Sequence, residues 1–406
     1  MDSDESKYEE PSVRPDWKPV LGLVDASSEP LTIPAPRATV FDQPEPEKLI
    51  ELTVIVPARN EEDCIRACLE SLVAQSEDVF KLGVDWELIV VDDHSTDRTR
   101  EIAESFPGVR VIAAATLPAG WTGKNNAVTT GARVAQGDWL LFTDADTIHL
   151  PGSLARALKE AQQNEAELLS YSPEQIAVTF WEMATLPVVF AELARQYSPS
   201  KVSDPASPIA AANGQYILIR REAYDAVGGH AAIASDILED VALARAVKTS
   251  GRKIRFRYAA DAVRTRMYRN YRQLRDGWTK NLALLFPNPG WLAVKSLFLW
   301  AFPWTVLFLK IAVVLQDPSW DAVVGSGFAL LFIRINRANF PLQMTLLGAL
   351  FGMPMFAYLL LRSKRAHANG SVSWKGRTYG PKDGCVKDNP VNEAINHTPT
   401  PAGRLS

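Results

Sequence analysis

From Leu52 onward, short apolar runs alternate with amphipathic stretches, and that alternation restricts what the chain can fold into more than any other feature. Thr53-Val54-Ile55-Val56-Pro57 reads as a buried strand. Asn60-Glu61-Glu62-Asp63 then opens a helix running to about Gln75, with Asn60 as N-cap and acids in the first turn to suit the helix dipole. Glu87 to Val91 is a second strand ending in Asp92-Asp93, and a Ser95-Thr96-Asp97 turn caps the next helix. Val109 to Ile112, Asn125 to Ala135 and Trp139 to Thr143 continue as strand, helix and strand. Strands separated by helices imply an α/β fold with a mostly parallel sheet, right-handed crossovers and helices on both faces. Ligands bind such sheets at the carboxyl ends of the strands, where both acidic clusters fall.

The second cluster is Asp144-Ala145-Asp146. In an extended chain residues i and i+2 point to one side, so both carboxylates can face one divalent cation. Hard oxygen ligands suit Mg²⁺ or Mn²⁺, the ions a nucleoside-diphosphate leaving group needs. Further on, Glu174 to Tyr197 predicts either a core helix or, preferred on its aromatic content, an amphipathic helix resting on a bilayer. Asn213 to Ile219 reads as a strand, and Asp236-Ile237-Leu238-Glu239-Asp240 leads into a helix ending near Gly251.

The net charge of −4 is unevenly spread. Residues 1–50 are acidic and proline-rich and predict a disordered arm, and the acidic opening predicts no signal peptide. Arg252 to Lys280 is strongly basic and precedes a hydrophobic stretch, which suggests anionic headgroups as the counterpart rather than nucleic acid. Trp291 to Leu315 and Phe340 to Leu361 are each long enough to span a bilayer, whereas Ala322 to Ile333 is short. Basic flanks at Arg252–Lys280 and Arg362–Arg365 favour an even number of crossings, with Gln316-Asp317-Pro318 outside. Three cysteines, Cys64, Cys68 and Cys385, make no disulfide framework and suit a reducing compartment. The expected organisation is an arm over 1–50, a catalytic domain over 51–286, two or three transmembrane helices over 287–365 and a polar tail over 366–406. It places the protein in the plasma (inner) membrane, multi-pass, with the catalytic domain facing the cytoplasm.

Taken together, Thr53–Glu61, Val91-Asp92-Asp93-His94-Ser95-Thr96-Asp97, Asp144-Ala145-Asp146 and Glu239-Asp240 resemble the family 2 glycosyltransferases of GT-A fold over roughly residues 50–285. Gly120-Trp121-Thr122-Gly123-Lys124-Asn125 and Trp374-Lys375-Gly376-Arg377 resemble its membrane-anchored branch, which includes the hopene-associated, ceramide and carotenoid glycosyltransferases. The resemblance implies a UDP-sugar donor, a lipid acceptor and a Mg²⁺ or Mn²⁺ cofactor. It implies donor contacts from Pro57, Ala58, Arg59, Glu61, Asp92, Asp93, Lys124 and Asp144, with one of Asp92 and Asp93 on the uracil N3–H and the other bracing the turn. Asp144 and Asp146 would serve the metal, Asp146 directly. Asp240 would be the base, with Glu239 substituting for it or positioning it, and Trp278, Asn213 and Gly214 would meet the acceptor. Ordinary roles compete: dipole complementation for Glu61, solvated surface for Lys124, helix capping for Glu239-Asp240, a structural role for His149.

Processive members of the family carry Gln-x-x-Arg-Trp after the base, and here Gln273-Leu274-Arg275-Asp276-Gly277-Trp278 keeps only the tryptophan in place. That departure and the few spans argue against a polysaccharide synthase. The leading expectation is therefore an inverting, membrane-bound hexosyltransferase moving one sugar to a lipid hydroxyl of hopanoid, carotenoid or ceramide type. Its rivals are a polyprenyl-phosphate glycosyltransferase and a non-catalytic membrane scaffold. A nucleotidyltransferase is disfavoured because no Gly-rich phosphate loop follows the first strand.

Overall fold

Leu52, Val54, Ile55 and Val56 have no exposed surface, so strand β1 (Leu52–Ala58) is covered on both faces, as its unbroken apolar run requires. The computed structural model describes residues 50–312, 317–374, 377–379 and 387–388. The expected N-terminal arm, Gln316, Cys385 and most of the polar tail lie outside the described residues. After β1 come α1 (Ile65–Val73), β2 (Trp86–Asp92), α2 (Thr99–Glu104), β3 (Val109–Ala113), α3 (Gly123–Val134) and β4 (Trp139–Phe142). The chain continues through β5 (Thr147–His149), α4 (Ser153–Gln163), β6 (Leu168–Ser172), β7 (Glu174–Gln175), α5 (Phe180–Gln196) and α6 (Pro199–Ser203). Then follow β8 (Ile217–Arg220), α7 (Arg221–Ala226), α8 (Glu239–Thr249), β9 (Ile254–Tyr258), β10 (Val263–Thr265) and α9 (Tyr271–Leu285).

The main sheet has the order β3-β2-β1-β4-β8-β6-β9. β1 to β4 are parallel, β8 runs antiparallel to both β4 and β6, and β6 is parallel to β9. Leu69, Leu72, Trp86 and Tyr171 fill the core on one face, while Ile55, Ala127, Leu140 and Leu243 fill it on the other. A small second sheet, β5-β10-β7, stands beside the carboxyl ends. This is the expected mostly parallel α/β architecture of the GT-A type.

Several local expectations change. α1 starts at Ile65, and Asn60 is not its N-cap but sits in the left-handed region at φ 52°. There its Oδ1 accepts from Thr96 N at 2.9 Å and its own N–H donates to Ser95 Oγ at 3.1 Å, stapling the first two βα loops together. Asparagine tolerates this conformation better than most side chains. α5 is a core helix rather than one resting free on a bilayer. A capping box of Thr179 and Glu182 starts it, and Ala184, Leu186, Val188 and Val189 are buried among the C-terminal helices, leaving Phe180 and Trp181 partly exposed.

The basic run also reads differently once folded. Arg252 and Glu167, Arg255 and Glu160, Arg257 and Asp261, Arg264 and Glu174, and Arg266 and Glu182 form ion pairs inside the domain. Arg275 pairs with Asp276, and Arg269, which precedes α9, donates to the Asp63 carbonyl. These cations are engaged within the protein, so the run is not the unpaired basic face expected for headgroups.

Past α9 the chain forms α10 (Pro289–Ile311), α11 (Ser319–Asn336) and a continuous helical stretch of α12 (Leu342–Leu347), a π-turn at Gly348–Gly352 and α13 (Met353–Ala368). Pro289–Ile311 and Leu342–Ala368 are long and apolar enough to cross a membrane. On α10, Trp291, Val294, Phe298, Phe302 and Phe308 form an exposed stripe at helical spacing. The Leu342–Ala368 stretch instead packs on α5 and α9: a Cβ on Gly352 would sit 2.8 Å from Val188, and Ser363 Oγ donates to the Thr279 carbonyl at 2.6 Å. The boundary expected at 286 therefore falls inside one packed helical layer, with Trp278, Leu282, Phe286, Leu292 and Phe356 in a shared core. Of the Trp374–Arg377 motif, Trp374 and Arg377 pair across two short antiparallel strands, and Lys375 and Gly376 lie outside the described residues.

Candidate active site

β4 ends at Phe142, so Asp144 and Asp146 are not carried by extended chain. They occupy the turn into β5, closed by Thr147 N donating to the Asp144 carbonyl at 3.2 Å, and both line one cleft all the same. The turn, not strand alternation, brings the two carboxylates together. Thr122 caps α3 by accepting from Asn125 N, which sets Lys124 in the first turn of that helix. The Lys124 ammonium lies 2.7 Å from Asp144 Oδ1 and 2.6 Å from Glu239 Oε1. It is thus a bridge between two carboxylates rather than solvated surface.

Glu239 and Asp240 open α8. Asp240 Oδ1 accepts from Val241 N at 2.8 Å, and its Oδ2 accepts from Gly214 N at 3.1 Å. The helix-terminal reading of Asp240 therefore holds, alongside its place in the cleft. Asn213 and Gly214 lie in the turn leading to β8, not in a strand as expected, because the Gly214 N–H is committed to the Asp240 carboxylate instead of a ladder.

The charges sort themselves by burial and neighbours. Burial alone would depress the Lys124 pKa, but Asp144 and Glu239 overcome it and hold the ammonium well above its ordinary value. Burial opposes ionisation of Glu239, yet Lys124 and Lys280 keep its pKa below the ordinary value. Asp240 is pushed up to about 6, first by burial and then by the neighbouring Glu239 charge. Two adjacent carboxyls are therefore driven apart, one held ionised and one poised to exchange a proton near neutrality. Lys280 is lowered, chiefly by burial. Burial lowers His149 to about 3, so it is neutral at pH 7, contacts Thr143 and Tyr216 and plays a structural part.

The cleft has a volume of about 290 Å³. Of the residues singled out in the sequence, Pro57, Glu61, Lys124, Asp144, Asp146, Asn213, Gly214, Glu239, Asp240 and Trp278 line it. Ala58, Arg59, Asp92 and Asp93 do not appear among its lining residues. Asp92 Oδ1 accepts from Ser95 N, which makes it the carboxylate that braces the turn, and Arg59 donates to the Asp93 carbonyl at 2.7 Å. Apolar and aromatic side chains complete the lining: Phe190 and Leu193 from α5, then Met267, Tyr268 and Leu285. Trp278 is 3% exposed and stands edge-on between Phe190 and Tyr268. Sequence reading missed Lys280, Asn281 and Gln215 in this lining. The spacing of Asn281, one turn beyond Trp278 on the same helix face, was the available signal.

Among the described residues no group of three or more His, Cys, Asp or Glu side chains could hold a metal ion on its own. Asp144 and Asp146 still fit Mg²⁺ or Mn²⁺, because Mg²⁺ typically takes one or two protein carboxylates and completes its shell with water and substrate phosphate.

Residues 53–228 match the family model described as Glycosyl transferase family 2. These residues carry a family 2 glycosyltransferase domain. The transferase is 28% identical over 343 residues to the 4,4'-diaponeurosporenoate glycosyltransferase of Staphylococcus aureus strain MRSA252, a match covering 81% of this chain and 88% of the relative. Among solved structures it is similar to the mannosyltransferase PcManGT from Pyrobaculum calidifontis in complex with GDP-Man and Mn²⁺, with a TM-score of 0.47 and 19% identity over 78% of this chain and 86% of that one. Residues 1–349 of S. aureus TarS in complex with UDP-GlcNAc align with a TM-score of 0.38 and 15% identity over 84% and 97% of the two chains.

In this transferase Gly214 keeps the cleft open. A Cβ there would lie 3.1 Å from the Lys124 ammonium, 3.4 Å from Glu239 Oε1 and 3.7 Å from Asp240 Cβ. Gly214→Val is expected to lower transfer at least about tenfold through crowding of these three groups, with an unfolding midpoint within a few degrees of wild type. Activity within twofold of wild type would show that the charged end of the cleft is not where substrates meet.

Proposed function

We propose that the protein is a membrane-bound, inverting glycosyltransferase that moves one sugar from a UDP-sugar to a lipid hydroxyl. The observation that carries this reading is the mixed cleft: carboxylates bridged by Lys124 share one lining with aromatic and aliphatic side chains. The kinship with a diaponeurosporenoate glycosyltransferase supports the lipid acceptor, and the exposed apolar stripe of α10 supports a bilayer as its setting.

In this reading Pro57 and Glu61, which line the cleft, hold uridine and ribose at the carboxyl end of β1; Ala58, Arg59 and Asp93, outside that lining, extend the donor site beyond it, with Asp93 accepting from the uracil N3–H while Asp92 braces the turn. Asp146 would hold Mg²⁺ or Mn²⁺ with Asp144 beside it, and such an ion when bound stabilises negative charge on a departing diphosphate. Lys124 adds a second positive charge there. Asp240 removes the acceptor's proton as the acceptor oxygen bonds to C1 and the C1–O bond to the diphosphate breaks, releasing UDP. One displacement inverts C1, so an α-linked donor gives a β-glycoside. Burial, and then the charge of Glu239 kept ionised by Lys124 and Lys280, hold the Asp240 pKa high enough for the base role.

Equilibrium binding of UDP and GDP to the detergent-solubilised full chain tests the donor class. Tighter UDP than GDP binding, strengthened by Mn²⁺ and weakened by EDTA, is expected. Preference for GDP, or no nucleotide binding, would overturn the donor assignment.

A further inference from the structure

Leu342–Ala368 touches the helices of the cleft at both of its ends. At the start, the Phe340 ring stands 6.0 Å from Phe190, and a Cβ on Gly348 would lie 3.4 Å from Val188. At the far end, Ser363 Oγ donates to the Thr279 carbonyl, and His367 Nε2 lies 2.8 Å from the Lys280 carbonyl oxygen. Phe190 and Lys280 line the cleft itself. A continuous helical stretch cannot cross a bilayer while both of its ends stay on a domain at one side. Long and apolar enough as it is, this stretch remains on the side of the cleft.

The pair α10 and α11 is built differently. α10 leaves from Gly290, where an added Cβ would meet Lys364 Nζ at 3.1 Å, and α11 returns with Arg334 on Glu192 of α5. Between those points the two helices hold each other. Pro303 Cβ lies 2.9 Å from where a Cβ on Gly327 would be, Trp304 stands edge-on to Phe328 at 4.9 Å, and Lys310 pairs with Asp321 at 3.1 Å. From Ser296 to Leu309, and again from Ala322 to Ile333, no face of either helix carries a charged side chain. A helix that is apolar all round needs apolar surroundings on every side, yet α10 is only 28% buried over its most apolar stretch.

We propose that the α10–α11 hairpin crosses a phospholipid bilayer, out on α10 and back on α11, with its tip near Asp317 on the face opposite the cleft, and that Leu342–Ala368 does not cross. The two helices have 23 and 18 residues, within the roughly 17–25 that a span takes. The uncharged part of α11 is the shorter, and a bilayer accommodates such a mismatch by local thinning and by flanking side chains that reach for the headgroups. Charge agrees with the direction. Lys295, Arg337, Lys364 and Arg365 are exposed at the base, while Asp317 and Asp321 stand at the tip, as the preference of cations for the cytosolic side requires. This inference rests on the membrane-bound part of the function proposed above and adds which helices cross. It moves the second span from Phe340–Leu361, where the sequence suggested it, to Ser319–Asn336, and the number of crossings stays even.

Three substitutions in the full chain test it: Ser319→Cys at the tip, Asn336→Cys at the end of α11 and Lys364→Cys near the end of α13, all at exposed positions outside the cleft lining. Each variant is treated with a membrane-impermeant maleimide mass tag in spheroplasts and in inverted membrane vesicles. Tags are counted beyond those on wild type, whose own cysteines set the background, and an unfolding midpoint matching wild type shows that each variant folds. Ser319→Cys is expected to gain its tag in spheroplasts only, and Asn336→Cys and Lys364→Cys in inverted vesicles only. Ser319→Cys and Asn336→Cys reacting from one face, with Lys364→Cys reacting from the other, would make Leu342–Ala368 a span and overturn the inference. Reaction of all three from one face, or of the tip from neither, also overturns it and leaves a membrane-bound protein whose hairpin does not cross. Release of the wild-type chain from membranes by alkaline carbonate removes the membrane-bound reading itself, and the inference with it.

Discussion

Asp240→Asn is expected to reduce kcat by about 10²–10⁴-fold, the contribution of a positioned general base. The substitution keeps the side-chain shape and one oxygen to accept from Gly214 or Val241, so the turn before β8 and the start of α8 stay in place. UDP binding should therefore be nearly unchanged. Because Asp240 acts as a base only when ionised and its pKa lies at about 6, wild-type kcat should climb as pH rises toward 6 and level off above it. The same shift has a sign for stability. The folded chain binds the Asp240 proton more tightly than the unfolded chain, so its contribution favours folding at acidic pH and is lost as pH rises through about 6. Retention of most activity in Asp240→Asn would instead favour an acceptor that is already anionic, such as a polyprenyl phosphate.

The second large effect belongs to Asp146. Asp146→Ala should lower transfer by about 10²-fold or more, since an ion at a developing phosphate charge contributes several kcal/mol. Its diagnostic feature is a loss of metal response: UDP affinity should be the same with Mn²⁺ as with EDTA. Asp144→Ala should be milder in that respect, because Asp144 also answers to Lys124, 2.7 Å away. A variant at 146 that still binds UDP more tightly with Mn²⁺ would place the ion elsewhere.

The α/β alternation was legible because it depends on local periodicity: β1, β2 and β4 lie within a residue or two of where apolar runs begin and end. Asp146, Lys124 and Asp240 were legible for a related reason, since the carboxyl ends of parallel strands and the first turns of following helices converge wherever the topology is this one. What failed needed partners distant in sequence. The basic run looked unpaired until folding set Arg257 beside Glu160 and Arg266 beside Glu182. Asn60 looked like a helix cap because the Ser95-Thr96 loop that claims its side chain lies some 35 residues on. α5 looked like a surface helix because the segment that buries it, Gly348 to Gly352, belongs to the far end of the chain. Asn281 passed unnoticed although it lies one turn beyond Trp278 on α9, because only the folded cleft gives that helix face a role.

Transfer of radiolabelled sugar from a panel of UDP-sugars into a total lipid extract, compared between wild type and Asp240→Asn, decides whether the protein is a lipid glycosyltransferase. Organic-soluble label from at least one UDP-sugar is expected with wild type and Mn²⁺, abolished by EDTA and reduced at least about a hundredfold by the substitution. Label that enters lipid equally well with Asp240→Asn, or none from any UDP-sugar with wild type, would contradict that reading.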